Sequence, residues 1–215
     1  MEQPISFLSE NLELEAIIDR RDAARGVVVT HPHPLYGGDM NNHVVSIICR
    51  AYARRGVTTL RFNFRGAGRS QGRYDEGRGE QNDVRAAADF LANSGAGQVD
   101  LAGYSFGAWV SALATTAGLQ AQRLIMVSPP VAFVDFSTIA ALPNLQLVVT
   151  GSRDDIAPPA LIKRHLQKWR PQLQLNIIDG ADHFYQGFGS ELEKMLMDRI
   201  GTSGGPPIGS PAPAG

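Results

Sequence analysis

Gly103-Tyr104-Ser105-Phe106-Gly107 sets a hydroxyl between two glycines where one kind of secondary structure gives way to another. The run Gln98-Val99-Asp100-Leu101-Ala102 ahead of it predicts a short buried strand, and residues 108–116 behind it predict an alanine-rich helix. A serine on such a junction sits on a sharp, strained turn with its hydroxyl above the sheet edge. The glycines let strand and helix approach closely, where a side chain would clash. This is the geometry of a nucleophile elbow, and it points to covalent catalysis by Ser105. The five-residue pattern is not decisive alone. With 23 glycines among 215 residues it arises by chance with a probability of about 0.1, so the strand–turn–helix setting carries the weight. A serine hydroxyl is a poor nucleophile at neutral pH and needs a base within hydrogen-bond reach, itself oriented by an acid. His183, in Gly180-Ala181-Asp182-His183-Phe184, is the candidate base. His165 falls mid-helix and reads as a surface residue, and His43 opens a helix and reads as part of its cap.

These groups need a frame. Residues 7–18 alternate as a strand pair with Glu10-Asn11 at the turn. Residues 26–30 read as a fully buried strand ending at His31. Residues 41–55 read as a helix with Val44, Val45, Ile48 and Tyr52 on one face and Gly56 past its end. A strand over 57–64 and a helix over 79–93 follow, with Val84, Ala87, Ala88 and Leu91 inward. Beyond the elbow come a strand over 123–127 ending at Ser128-Pro129-Pro130, a strand over 145–150 and a helix over 159–169. A strand over 173–178 and a helix over 191–200 close the fold. This alternation predicts an α/β fold with a mostly parallel sheet and helices on both faces. In such sheets functional groups gather beyond the carboxyl ends of the strands. His31, Asn63, Ser105, Ser128, Asp154 and His183 all fall there. One domain is expected over 1–200, followed by a disordered Gly/Pro-rich tail over 201–215.

Composition narrows the partners. With 43% hydrophobic and 19% charged residues, the chain is built to bury a core. A formal net charge of -1 gives no pull toward nucleic acid. The arginines between Arg61 and Arg85 interleave with Asp75, Glu76, Glu80 and Asp83 and read as a salt-bridged surface. The single cysteine, Cys49, excludes an internal disulfide and sits on a predicted buried helix face. The first eight residues lack a basic region followed by an apolar stretch, and no apolar run reaches membrane-spanning length, so a cytoplasmic protein without membrane contact is expected.

From residue 26 to 200 nearly every segment resembles the α/β-hydrolase superfamily. More narrowly, the chain resembles a small, lidless bacterial-type group of predicted esterases. The marks are His31-Pro32-His33-Pro34-Leu35-Tyr36-Gly37-Gly38-Asp39-Met40-Asn41-Asn42, Phe62-Asn63-Phe64-Arg65-Gly66-Ala67-Gly68-Arg69-Ser70, the elbow, and the stretch around His183. The resemblance implies a chain order of Ser, then Asp or Glu, then His. Its Gly-x-x-Asp-x-x-x-Pro pattern selects Asp154 as the acid, through Gly151, Asp154 and Pro158. Asp155 and Asp135 are the alternatives, and Asp182 reads as a loop hydrogen-bonder. It also implies two backbone N–H donors for a developing oxyanion. One is Phe106. The other lies in the loop after the 26–30 strand, where Pro32 and Pro34 have no N–H. That leaves His33, Leu35 or Tyr36, with Leu35 favoured, while the rings of His31 and His33 hold the loop. Many superfamily members carry Asp where this chain has Asn63, which puts one structural polar contact in question.

The interval over 128–144 is long enough only for a turn and a short helix around 133–141, so no lid domain is expected. The site should be an open cleft lined by Leu35, Tyr36, Phe106, Phe133, Phe136 and Phe184. The expected reaction is two-step acyl transfer on esters or thioesters of small to medium acyl groups, with neither metal nor organic cofactor. A small-molecule acyl substrate is the only partner implied. Two other classes compete: a metal-dependent hydrolase built on His31-x-His33, which lacks an acidic cluster nearby, and a non-catalytic binding module on the same fold. No Gly-Lys-Ser/Thr occurs, which argues against nucleotide hydrolysis.

Overall fold

The computed structural model describes residues 1–139 and 141–201. The tail expected over 201–215 lies, beyond Gly201, outside the described residues. Strands and helices alternate as β1 (Glu2–Ser9), β2 (Leu12–Asp19), β3 (Asp22–Thr30), α1 (His43–Arg54), β4 (Val57–Phe62), α2 (Arg78–Asn93), β5 (Gln98–Tyr104) and α3 (Phe106–Thr116). They continue as β6 (Leu124–Val127), β7 (Leu145–Gly151), α4 (Pro159–Trp169), β8 (Asn176–Ile178) and α5 (Gly189–Arg199). The eight strands form one sheet in the order β1-β2-β4-β3-β5-β6-β7-β8. The first two are an antiparallel hairpin that adds antiparallel to β4, and every pairing from β4 to β8 is parallel.

The parallel strands inside the sheet, β3 to β7, are buried on both faces, because successive side chains point to opposite sides of the sheet and both are covered. Val28, Leu101 and Met126 pack with Val84, Ala112 and Leu166 of α2, α3 and α4. Val27, Val29, Ala102 and Val127 pack with Val45, Ile48, Leu192 and Leu196 of α1 and α5. Each fully buried Val, Leu or Ile contributes roughly 1.5–3 kcal/mol of transfer free energy, so both layers are needed. Cys49 lies buried in the second layer, where burial pushes its thiol up to about 11. The 57–64 strand stops at Phe62: the Asn63 N–H still reaches the Glu15 carbonyl of β2, but the Phe64 N–H turns to His31 Nε2.

Two expectations about surface and connection change. The arginine stretch is not all surface. Arg65 is buried, with its guanidinium 2.8 Å from Asp83 Oδ1 and 3.0 Å from Glu10 Oε2, tying the hairpin to α2. The interval between β6 and β7 has no helix among its described residues. Val134 closes one turn onto the Pro130 carbonyl, and then the Asp135 side chain takes the Ser137 N–H at 2.7 Å and stops propagation. No helix among the described residues is long and apolar enough to cross a membrane.

Candidate active site

Ser105 follows β5 without a break and holds φ 53° and ψ −120°, a conformation few residues other than glycine adopt. Its neighbours explain the turn. A Cβ on Gly103 would lie 2.4 Å from the Ala108 nitrogen, and one on Gly107 would lie 2.5 Å from the Thr30 carbonyl oxygen. Only glycine allows α3 to start that close to β5 and β3. The Ser105 N–H donates to the Val127 carbonyl at 2.9 Å, so the sheet fixes the turn.

His183 comes from the turn after β8. Asp182 Oδ1 accepts the N–H groups of Phe184 and Tyr185 at 2.9 and 3.1 Å, as a loop hydrogen-bonder. The Tyr104 hydroxyl donates to the His183 carbonyl at 2.9 Å. His43 does not cap α1. Asn42 does, accepting the Val44 N–H at 2.9 Å, while His43 Nε2 donates to the Phe184 carbonyl at 2.6 Å and pins the His183 turn. His183 Nε2 lies 3.0 Å from Ser105 Oγ, and His183 Nδ1 lies 2.9 and 3.0 Å from the two Asp154 oxygens. Asp154 Oδ1 also accepts the N–H groups of Ile156 and Ala157 at 3.0 and 2.7 Å. Burial pushes the Asp154 carboxyl up, but the hydrogen bond and charge of His183, with Ser128 and Ala157, outweigh it and hold it below the ordinary carboxylate range. Asp155 is exposed. Asp135 is also exposed and folds onto Ser137. Asp154 is the carboxylate that meets His183.

The loop after β3 presents a different N–H from the one the sequence favours. A single 3₁₀ turn, Pro34–Tyr36, uses up the candidates. The Leu35 N–H turns to His33 Nδ1 at 3.2 Å, and its side chain is 68% exposed and away from the cavity. The Tyr36 N–H bonds the His33 carbonyl at 3.1 Å. The His33 N–H has no acceptor among the described residues, and His33 lines the cavity beside Ser105 and Phe106. Phe106 is the first residue of α3, so its N–H has no partner inside the helix. The His33 ring packs against Tyr36, Tyr74 and Phe106 at 4.8, 4.9 and 4.8 Å and burial lowers its pKa. His31 uses both nitrogens to hold the loop, Nε2 accepting Phe64 N–H at 3.0 Å and Nδ1 donating to the Pro32 carbonyl at 2.6 Å. Asn63 fills its unusual position with both ends of its amide: Oδ1 accepts Met40 N–H and Nδ2 donates to Glu15, each at 2.7 Å.

A cavity of about 380 Å³ opens at Ser105 and His183. Its walls include Tyr36, Phe106, Pro130, Phe133, Ile156 and Phe184, and among the described residues no Asp, Glu, Lys or Arg lines it. Phe133 and Tyr36 meet edge to face at 5.7 Å at the rim. Phe136 is not in the wall. It is 2% exposed and packs on Trp169 at 5.1 Å, because the turn after Pro130 sends it to the core. His165 is half-buried and stacks on the same Trp169 at 4.9 Å.

A doubly covered, mostly parallel sheet with a strained serine at the end of β5 and a histidine and an aspartate after later strands defines the α/β-hydrolase class. The chain belongs to the Alpha/beta hydrolase family, whose sequence pattern matches residues 27–193. It is 33% identical to an alpha-beta serine hydrolase homologue from Coxiella burnetii, with TM-score 0.84 over 93% of this chain and 97% of that one. It is 32% identical to an α/β serine hydrolase without lid from Xanthomonas campestris, with TM-score 0.84 over 93% of each chain. An uncharacterized protein of Rickettsia prowazekii is 36% identical over 185 residues, 81% of this chain and 78% of that protein.

Proposed function

We propose that the protein is a serine hydrolase that cleaves carboxylic esters or thioesters of small to medium, uncharged acyl groups through an acyl-enzyme. The observation that carries this reading is the continuous relay from Asp154 through His183 to Ser105, at 2.9 and 3.0 Å, at the mouth of an apolar cavity. His183 Nε2 takes the Ser105 proton as Oγ attacks the carbonyl carbon, and the carbonyl electron pair moves onto oxygen. The N–H groups of Phe106 and His33 receive that oxyanion, and each such donor is worth roughly 3–4 kcal/mol in the transition state. Collapse expels the alkoxide or thiolate, which takes the proton from His183. Water, deprotonated by His183, then attacks the acyl-enzyme and releases the acid and Ser105. Asp154 stays ionised throughout, fixing the Nδ1–H tautomer and stabilising the imidazolium.

The similarity to a serine hydrolase homologue of Coxiella burnetii and a lidless serine hydrolase of Xanthomonas campestris supports the class. The absence of charge in the cavity wall supports a neutral acyl group, since a carboxylate or ammonium would lose its hydration there without a partner. The test is a series of p-nitrophenyl esters of increasing acyl length. The expected result is turnover with kcat/KM highest for short chains, and a loss of at least about 10⁴-fold in Ser105→Ala and His183→Ala with unchanged circular dichroism. A Ser105→Ala protein as active as the native one would overturn the reading.

A further inference from the structure

The cavity beside Ser105 has two walls. On one, Phe106, His33, Tyr36 and Phe133 follow one another ring to ring at 4.8, 4.8 and 5.7 Å. The N–H groups of Phe106 and His33, which receive the oxyanion, belong to that wall. On the other stand His183 and Phe184, edge to face at 5.6 Å, together with Asn42. His43 Nε2, one residue on from Asn42, donates to the Phe184 carbonyl at 2.6 Å, which holds Asn42 on the side of the His183 turn.

A count of donors and acceptors singles out Asn42. Its N–H donates to the Asp39 carbonyl at 3.2 Å, and its carbonyl accepts the Ser46 N–H at 3.0 Å. Its Oδ1 accepts the Val44 N–H at 2.9 Å. That bond fixes which end of the amide is oxygen, since an NH2 group does not accept from an N–H. Nδ2, with two protons, has no acceptor among the described residues, although Asn42 is half-buried and lines the cavity. The neighbouring Tyr104 hydroxyl is spent on the His183 carbonyl at 2.9 Å. The Asn42 amide is therefore an uncommitted, uncharged donor on the wall of His183.

The chemistry gives that wall a use. The leaving oxygen or sulfur takes its proton from His183 Nε2, so the released group extends along the His183 side while the carbonyl oxygen points to Phe106 and His33. We propose that Asn42 and Phe184 form the leaving-group subsite, with the Asn42 NH2 group donating to an acceptor oxygen carried by the released alcohol or thiol. The inference rests on the acyl-transfer reading above. It narrows the substrates to esters or thioesters whose released part is apolar but bears an ether or carbonyl oxygen. An all-carbon chain would strip water from the amide and offer nothing in return, which is how the subsite discriminates.

The test uses two pairs of acetates in which an oxygen replaces one methylene of the alcohol: 2-methoxyethyl against butyl, and 3-methoxypropyl against pentyl. The readout is the preference, kcat/KM of the oxygenated ester over that of its partner, in the full chain, in Asn42→Ser and in Asn42→Asp. The intrinsic reactivity of the esters cancels when preferences are compared between proteins. Serine and aspartate cap a helix as asparagine does, so each variant keeps the start of α1 and loses the NH2 group. Expected for Asn42→Ser is a preference about fivefold lower in at least one pair, with an unmoved urea midpoint. Asn42→Asp should lower it further, because its carboxylate repels the ether oxygen. An equal fall for both members of each pair would overturn the subsite, as would a loss seen only with the oxygen in the acyl group, p-nitrophenyl methoxyacetate against p-nitrophenyl butyrate. A native protein that leaves p-nitrophenyl esters intact as well fails the acyl-transfer reading, and this inference falls with it. A native protein that cleaves p-nitrophenyl esters, but with the preference unchanged in both variants or with no turnover of the alkyl acetates, fails the leaving-group subsite alone.

Discussion

Each imidazole around the cleft has its tautomer set by the groups it touches. His183 Nδ1 faces an ionised Asp154 and must carry the proton there, which leaves the Nε2 lone pair for Ser105. His31 accepts from Phe64 and donates to Pro32, so a second proton would cost it the Phe64 bond, and burial pushes its pKa down to about 4. The ordinary value, 6.5, applies to the unfolded chain. Between those values the unfolded chain binds a proton that the folded one refuses, so stability is lost as pH falls from about 6.5 to about 4. The difference is worth about 3 kcal/mol. Asp100 acts the other way. Flanked by Arg25 and Arg123, its carboxyl is pushed up by burial to about 7, and its contribution is lost as pH rises from 3.8 toward that value. The readout is therefore the gap between the native protein and His31→Gln in urea unfolding. That gap should shrink by about 3 kcal/mol from pH 7 to pH 4, and parallel pH curves would contradict the assignment.

At the scale of elements, Asn63 shows how a change at one strand end is matched elsewhere. Its amide joins the loop after β3, the end of β4 and the β2 strand of the hairpin through Met40 and Glu15. An aspartate could accept from Met40 but could not donate to Glu15. Asn63→Asp should therefore cost roughly 2–4 kcal/mol at neutral pH, by facing two carboxylates in a part-buried site. Adding Glu15→Gln should recover most of it, and acid should narrow the loss as one carboxyl is protonated. Urea melts at pH 7 and pH 4 measure both, and an Asn63→Asp protein of native stability would contradict the bridge. The departure at position 63 is visible in the sequence. Its partner is not, because Glu15 lies 48 residues away on a hairpin whose place in the sheet local patterning does not reveal.

At the scale of the molecule, the order of strands and helices was legible because hydrophobic period and glycine breaks repeat along the chain. The positions of Ser105, Asp154 and His183 were legible because each follows a strand of one parallel sheet, so one edge collects them. What stayed hidden depends on hydrogen bonds spent locally. Excluding prolines left three N–H donors in the 33–36 loop. Only the folded 3₁₀ turn shows that Leu35 and Tyr36 are committed and His33 is not. Phe136 reads as a cleft residue until the turn after Pro130 sends it into the core.

The central claim is that these strand ends assemble an activated serine. The most direct measurement is reaction of the full chain with a fluorophosphonate near neutral pH, read by intact mass and peptide mapping, because it assumes no substrate. The account predicts one phosphonyl adduct, on Ser105, absent in Ser105→Ala and far slower to form in His183→Ala. Folded protein that takes up no adduct, or takes one at another residue, would contradict it.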